Sequence, residues 1–194
     1  MEQTSGKLPR VCFATIEYPP DWGGVSKSAQ RIVKMLVEGG FEVHVFVPTD
    51  TQEEGAGEIE PIAVDGISLY RIPTSRDFSP SSVLSFFKAI DQANKALSFD
   101  IFHGFYLPMA HPCLPVAAKA KRPVIASIRG DDGVVLLRGD TASAMSKILR
   151  EAAWITSVSG DSLLRANALV NISRKSSFIP NSIRAGDGPQ WQMT

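Results

Sequence analysis

The fold is decided by residues 11–48, which read VCFATIEYPPDWGGVSKSAQRIVKMLVEGGFEVHVFVP. Residues 11–15 form a short apolar run typical of a buried strand, and residues 43–47 form a second such run. Between them, apolar side chains recur over residues 25–37 at the spacing of one helix face, and Gly39-Gly40 stops the helix. The pattern predicts a complete βαβ unit, whose crossover should be right-handed.

The rest of the chain repeats this alternation of short apolar runs and longer helical patterns. Further strands are predicted at 67–72, 101–103, 124–128, 155–158 and 177–179, and helices at 79–97, 115–120, 141–153 and 162–170. The alternation predicts an α/β fold: a Rossmann-like open parallel sheet of about six parallel strands, with helices on both faces. This domain should span residues 9–183, between an N-terminal tail at 1–8 and a linker or frayed tail at 184–194.

Composition and charge exclude several classes of protein. The 194 residues carry 20 Lys and Arg against 20 Asp and Glu, a balance that argues against a nucleic-acid binder. Two cysteines without a CxxC pair favour a reduced cytoplasmic compartment over a disulfide framework or a zinc site. No apolar run approaches the ~18 residues of a membrane span. Phe86-Phe87 could place a helix on the inner face of a membrane, but Lys88 and Lys95 are too few to favour this over a buried face.

The residues that follow each strand are the candidates for a ligand site, because ligands of open α/β sheets bind beyond the carboxyl ends of the strands. Gly23-Gly24 lies after the first strand and before a helix, where glycines let a ligand approach the backbone and free N–H groups attract an anion. The alternative is a turn that needs glycine for its conformation. Neither G-x-G-x-x-G nor a P-loop motif occurs, which disfavours a nicotinamide dinucleotide or P-loop nucleotide site.

Two further strand ends carry polar groups. His103 is predicted to end its strand beside Gly104, where it could hold a substrate hydroxyl or transfer a proton, or simply pack as an ordinary histidine. Arg129 could clamp a carboxylate or phosphate, with Asp131 and Asp132 accepting from sugar hydroxyls; a solvated turn is the alternative. These two aspartates lack the further ligands that a metal site needs, so no metal is predicted. If His103 and Arg129 share a site, their side chains should lie on the same face of the sheet.

An ordered series of segments carries a family resemblance. These segments are Tyr18 to Gly24 with the helix that follows, Asp100-Ile101-Phe102-His103, residues 123–132, residues 153–159 and Ile179-Pro180-Asn181. Together they resemble family-four retaining glycosyltransferases of the GT-B fold, over roughly residues 9–183. Such enzymes hold their active site between two Rossmann-like domains. The resemblance implies that this chain is the N-terminal, acceptor-side half of a GT-B fold.

The resemblance also assigns roles to residues. It implies that Gly23 and Gly24 reach the donor's phosphate and sugar, that His103 is catalytic, and that the remaining candidates line the acceptor side: Tyr18, Trp22, Arg129, Asp131 and Asp132. The family often has His-Gly where this chain has Arg129-Gly130. The C-terminal donor-binding domain, with its pair of glutamates eight positions apart, is absent from these residues.

The expected reaction moves a sugar from a nucleotide-sugar donor to a carbohydrate or lipid-linked acceptor with retention of configuration. The nucleotide-sugar is a substrate, so no cofactor is implied, and the chain should be inactive without the donor domain. One alternative is a non-catalytic glycan- or partner-binding half of a split or truncated transferase. A nucleotide-dependent oxidoreductase is a weaker alternative, because the glycine fingerprint is missing.

Overall fold

A computed structural model describes residues 7–50, 59–130 and 142–181 of the chain. Its strands are β1 Arg10–Thr15, β2 Glu42–Pro48, β3 Ile62–Val64, β4 Ile67–Ile72, β5 Ile101–Phe105, β6 Val124–Ile128, β7 Trp154–Ser157 and β8 Ser176–Phe178. Its helices are α1 Gly24–Glu38, α2 Pro80–Leu97, α3 Cys113–Ala120, α4 Ala142–Glu151 and α5 Gly160–Leu169, with a short 3-10 helix at Leu107–Ala110. Of the predicted tails at 1–8 and 184–194, only residues 7 and 8 lie within the described ranges.

The described strands form one open sheet in the order β3-β4-β2-β1-β5-β6-β7-β8. All neighbouring strands pair in parallel except β3 and β4, which are antiparallel. From β1 the chain moves outward through β2 and β4, and then returns to place β5 on the other side of β1. The order therefore reverses between β1 and β5, which makes their carboxyl ends the topological switch point of a Rossmann-like sheet.

The predicted elements are confirmed within a few residues, and two of the described elements were not predicted. Strand β3 has only three residues, all exposed, so it carries no pattern of burial to detect. It pairs with β4 through a two-residue hairpin at Asp65 and Gly66, whose φ angles are +47° and +81°. Both central residues of such a turn need positive φ, which Asp-Gly supplies. The 3-10 helix at Leu107–Ala110 is the second missed element.

A hydrophobic core covers each face of the sheet. On one face, Phe13, Val45 and Phe105 pack with Ala29 and Val33 of α1. On the other face, the described helices α2 to α5 contribute buried side chains, among them Ile90, Val116, Ile148 and Ala166. Since burying one large apolar side chain is worth about 1.5–3 kcal/mol, these two layers supply the main stabilisation of the domain.

Gly104 is required by packing. A Cβ built on Gly104 would lie 2.3 Å from the backbone nitrogen of Ala110, because the 3-10 helix closes directly over β5. Only glycine permits this approach. The glycine beside His103 therefore fixes the turn that follows β5.

Both cysteines are buried and unpaired. Cys12 lies in β1 next to the Cys113 thiol, and Cys113 Sγ lies 3.4 Å from the Met109 carbonyl oxygen, to which it donates. Burial raises the pKa of the Cys12 thiol, which keeps it protonated and unreactive. Within the described ranges, no helix has both the length and the apolar character to cross a bilayer.

Candidate active site

The loops that follow the parallel strands meet at the carboxyl edge of the sheet, around the switch point. The loop after β1 runs through residues 16–23 into α1, and Tyr106 directly follows β5. Arg76 lies beyond β4, Arg129 directly follows β6, and Asn181 lies beyond β8. Ligands of doubly wound sheets bind in the crevice at this position, so these residues define the candidate site.

The start of α1 is open. Its cap residue Gly23 offers no side-chain hydrogen bond, the first turn holds no acidic residue, and the first helical bond runs from the Lys27 amide to the Gly23 carbonyl at 3.1 Å. The three preceding amides, of residues 24–26, have no partner within the helix. A Cβ on Gly24 would meet no described atom within 4 Å. The backbone at Gly24 is therefore open to approach, and its neighbouring amides can donate to an anion.

Neither glycine of this loop is needed for its backbone conformation. Gly23 is extended, with φ 160°, and Gly24 is helical, so neither has a left-handed φ. A Cβ on Gly23 would lie 2.7 Å from Oε2 of Glu17, the end of a flexible side chain that can move. The turn interpretation of Gly23-Gly24 thus lacks its conformational basis, and the open approach to the backbone is what the two glycines provide.

Arg76 and Arg71 hold the β1–α1 loop in place. The Arg76 guanidinium lies 3.0 Å from Oδ2 of Asp21 in the loop and 2.9 Å from Oδ2 of Asp50 after β2. Arg71 donates to the Pro19 carbonyl at 2.9 Å. These contacts join the ends of three neighbouring strands, so the loop that leads to Gly24 is fixed from the side of β2 and β4.

Arg129 joins three segments at the other side of the crevice. Its Nη1 donates to Oδ1 of Asn181 at 2.9 Å and to Oγ of Ser28 in α1 at 3.3 Å. Its guanidinium carbon lies 4.3 Å from the centroid of the Phe105 ring. The residue is only 8% exposed. Arg129 is therefore a buried tie between these segments and is not part of a solvated turn.

His103 does not end its strand, contrary to prediction, because β5 continues to Phe105. Its Nε2 lies 2.8 Å from Oγ of Ser127, which in turn lies 2.8 Å from Oγ1 of Thr156. Burial, with a smaller contribution from Arg129, lowers the pKa of His103 to about 3. The imidazole is therefore neutral at physiological pH and is no source of positive charge.

His103 and Arg129 lie on the same face of the sheet. The pairing of His103 with Ile125 and of Phe105 with Ser127 places alternate residues of β5 and β6 on the α1 side. The Phe105 ring links the two groups, since its centroid is 5.9 Å from that of His103 and 4.3 Å from the Arg129 guanidinium carbon. The predicted placement on one face is confirmed, and the Phe105 ring lies close to both side chains.

The two aromatic candidates of the β1–α1 loop have opposite environments. Tyr18 is 6% exposed and packs in the core beneath α1, where burial and Asp65 raise the pKa of its hydroxyl to about 12. Trp22 is 90% exposed, with the Lys27 ammonium 5.6 Å from its ring. Trp22 can offer an aromatic face to a ligand, whereas Tyr18 stabilises the loop from below. Asp131 and Asp132 lie outside the described residues.

Four residues at or near the site were given no role from the sequence: Arg76, Tyr106, Ser127 and Asn181. Three of them follow strands, so applying the strand-end rule to β4, to the full length of β5 and to β8 would have found them. Ser127 lies inside β6 and carries no such signal. In the parts of the chain that the structure describes, no three His, Cys, Asp or Glu side chains are grouped to hold a metal ion.

Comparison with known proteins identifies the family. The sequence profile of Glycosyltransferase Family 4 matches residues 22–185. Sucrose-phosphate synthase from Thermosynechococcus elongatus has a similar structure, with a TM-score of 0.68 at 13% identity over 89% of this chain and 48% of the synthase. HepE from Anabaena, solved in complex with UDP and glucose, gives 0.62 at 13% identity over 89% and 44%. MurG from Acinetobacter baumannii gives 0.55 at 16% identity over 92% and 47%. No curated protein sequence matches the chain.

The profile match covers most of the chain, and the structural matches share its sheet. The chain spans about half the length of each of these three solved structures. At 13–16% identity, the three structures support the fold and not a particular substrate. The chain belongs to Glycosyltransferase Family 4 and has the Rossmann-like fold of one half of a GT-B glycosyltransferase.

Proposed function

We propose that this chain is the N-terminal, acceptor-side domain of an enzyme that transfers a sugar from a nucleotide-sugar to a carbohydrate or lipid-linked acceptor with retention. The observation that carries the proposal is the open start of α1 at the switch point, beyond Gly23 and Gly24. The family match supports sugar transfer. The UDP and glucose held by HepE, a structural neighbour, favour a nucleotide-activated donor.

The open helix start would stabilise the leaving diphosphate. The amides of residues 24–26 and the positive end of the α1 dipole attract an anion, and Lys27 adds a cation in the first turn. During transfer the bond from the sugar's anomeric carbon to the diphosphate breaks, and a bond to the acceptor oxygen forms on the same face. The acceptor proton passes to a diphosphate oxygen. The protein then acts by positioning the reactants and stabilising charge.

His103 enters this proposal as a neutral group. With Nε2 bonded to Ser127, the second ring nitrogen is the atom that could contact a sugar hydroxyl. Trp22, almost wholly exposed at the mouth of the crevice, would stack against the acceptor. Arg129 enters the proposal as the group that holds Asn181 and Ser28 together at the edge of the crevice, through its Nη1.

A second domain would close the crevice. The chain spans about half of its structural neighbours, and in this domain the crevice has one wall formed by the loops of the carboxyl edge. We therefore propose a C-terminal donor-binding domain as partner, without which the chain is inactive. The exposed Trp22 supports one alternative, a non-catalytic glycan-binding half, because an aromatic face can bind sugar without catalysis.

Turnover of the two-domain enzyme tests the proposal. A panel of nucleotide-sugars is supplied with carbohydrate and lipid-linked acceptors, and NMR records the anomeric configuration of the product. We expect transfer with the donor's configuration retained, and no turnover by the 194-residue chain alone. Inversion would contradict the retaining mechanism. A two-domain protein that binds glycans and turns over no donor would establish the non-catalytic alternative.

A further inference from the structure

A second concave surface lies beside the crevice, on the opposite face of the sheet from α1. It is a groove of about 490 Å³ between the first half of α2, the start of α3 and the start of α4. Its walls are largely apolar and include Phe78, Leu84, Phe87 and Met145. The volume is in the range of pockets that bind drug-sized ligands. Nothing in the role proposed for the crevice uses this groove.

The groove begins at the candidate active site. Phe78, which lines it, stacks on the ring of Tyr106 with centroids 5.8 Å apart. Tyr106 is the residue that directly follows β5 at the switch point. One end of the groove therefore contacts the residue that follows β5, which places that end beside the proposed site of transfer.

The charge of the groove favours an anionic head. Among its described lining residues, Lys147 and His111 are the ionisable groups, and no carboxylate is present. Burial and Lys147 lower the pKa of His111, while Glu151 opposes them weakly from outside the lining, so the imidazole is neutral near pH 7. One ammonium group at the edge of an apolar groove complements an amphiphile that carries a phosphate.

We infer that this groove binds the hydrocarbon chain of a lipid-linked acceptor, with the acceptor's phosphate beside Lys147 and its sugar in the crevice. The inference rests on the proposed function and narrows its acceptor from carbohydrate or lipid-linked to lipid-linked. Walls from three helices face one another across the groove, which suits a single chain.

Binding of decyl phosphate, below its micelle concentration, tests the inference on the 194-residue chain by calorimetry. We expect saturable one-to-one binding, which Leu84→Gln weakens about tenfold because a buried methyl-rich contact is lost. Leu84 is 48% exposed, so the polar residue should not disturb folding. The matched control is Leu164→Gln in α5, where leucine is 72% exposed and outside the groove; it should bind as the parent does.

A second experiment tests the Lys147 ammonium group. Lys147→Met should weaken the binding of decyl phosphate about threefold and leave the binding of uncharged decanol unchanged, because only the charge is removed. Lys119→Met, an exposed lysine of α3 outside the lining, is the control and should change neither. Inorganic phosphate alone should not bind. Equal weakening by Leu84→Gln and Leu164→Gln, or no saturable binding, would overturn the inference.

Two readouts separate this inference from its alternatives. Flotation with anionic vesicles that lack acceptor should show no dependence on Leu84. Loss of vesicle binding in Leu84→Gln, with decyl phosphate binding intact, would indicate membrane docking and overturn the inference.

The binding of an amphiphile can be measured without turnover, so the inference can fail separately from the proposed function. If decyl phosphate binds in the groove but the two-domain protein transfers no sugar, the proposed function is refuted and the inference about the groove stands. If the protein transfers sugar to soluble acceptors but binds no amphiphile, the inference about the groove is refuted.

Discussion

At the scale of single residues, buried charge decides how the carboxyl edge is built. A buried guanidinium is costly unless it is paired, and Arg129 meets this requirement with Asn181, Ser28 and the face of Phe105. These partners come from three different segments of the chain. Arg129 therefore fixes where the chain passes beyond β8 relative to the first turns of α1.

Replacing this tie should destabilise the domain. We expect Arg129→Met to lower the free energy of unfolding by about 2 kcal/mol, since Asn181 and Ser28 lose a charged hydrogen-bond donor. Arg129→Lys should rescue little, because one ammonium cannot reproduce the planar guanidinium. Urea denaturation measures both. The control is Arg165→Met, which removes an exposed ion pair with Asp161 and should cost under about 0.5 kcal/mol; an equal effect of the two methionine variants would refute the tie.

His103 should make stability depend on pH. Its folded pKa, about 3, is below the ordinary value of 6.5, so the unfolded chain binds a proton at a pH where the folded chain does not. The stabilisation is thus complete above the ordinary pKa and is lost as the pH falls toward 3. Between pH 7 and pH 5 the loss should be about 2 kcal/mol.

The variant His103→Gln isolates this effect. His44 and His111 also have lowered pKa values, so the variant will keep part of the pH dependence. The measured quantity is therefore the difference between the two proteins in the change of unfolding free energy from pH 7 to pH 5. Parallel pH profiles for the parent and the variant would show that His103 is not held neutral by burial.

At the scale of elements, the two helices α1 and α5 offer a matched comparison. Each begins at a glycine, Gly24 or Gly160, where an added Cβ would meet no described atom within 4 Å. Only Gly24 stands at the switch point. In the two-domain enzyme, Gly24→Val should lower turnover on the order of 100-fold by blocking the approach to the backbone amides, and Gly160→Val should not.

Thermal melting completes that comparison. Both valine variants should melt close to the parent, because neither position is packed and neither has a left-handed φ. Equal turnover for Gly24→Val and the parent would show that transfer needs no approach to the backbone at Gly24. Equal losses in both variants would show that a branched residue at a helix start is harmful in itself.

Gly104 gives the opposite expectation. The variant Gly104→Ala should lower the unfolding free energy by about 3 kcal/mol or more, since its Cβ would overlap the Ala110 backbone and force β5 and the 3-10 helix apart. Gly160→Ala, at an open position, is the control and should change stability by under about 0.5 kcal/mol. Chemical denaturation measures the unfolding free energy of both alanine variants, and equal values for the two would contradict the prediction.

The elements differ in how well the sequence predicts them, for physical reasons. A buried strand such as β2 is recognised by a short apolar run, and an amphipathic helix such as α1 is recognised by its helical periodicity, because their buried faces must be apolar. Strand β3 is exposed along its whole length and has no such constraint. The end of β5 was predicted too early because a glycine such as Gly104 often marks the end of a strand. Here the strand continues, and the lack of a side chain at Gly104 lets the 3-10 helix pack against it.

At the scale of the whole molecule, the sequence predicts where the site lies better than what its residues do. Strand ends place Gly23, Gly24 and Arg129 at one edge of the sheet, as expected. That the Arg129 guanidinium is engaged by Asn181, and that Tyr18 is buried, depends on contacts between segments far apart in the chain. Such contacts leave no local pattern, so their consequences could not be predicted from sequence.

The central claim is that the open start of α1 contacts the donor diphosphate, and amide NMR of the 194-residue chain tests it most directly. The chain is titrated with UDP-glucose, GDP-mannose and ADP-glucose. With only one wall of the crevice present, we predict weak binding, with dissociation constants above about 1 mM, and shifts centred on the amides of residues 22–28. Shifts centred elsewhere, such as the first turn of α5, or a micromolar dissociation constant for the chain alone would contradict the account.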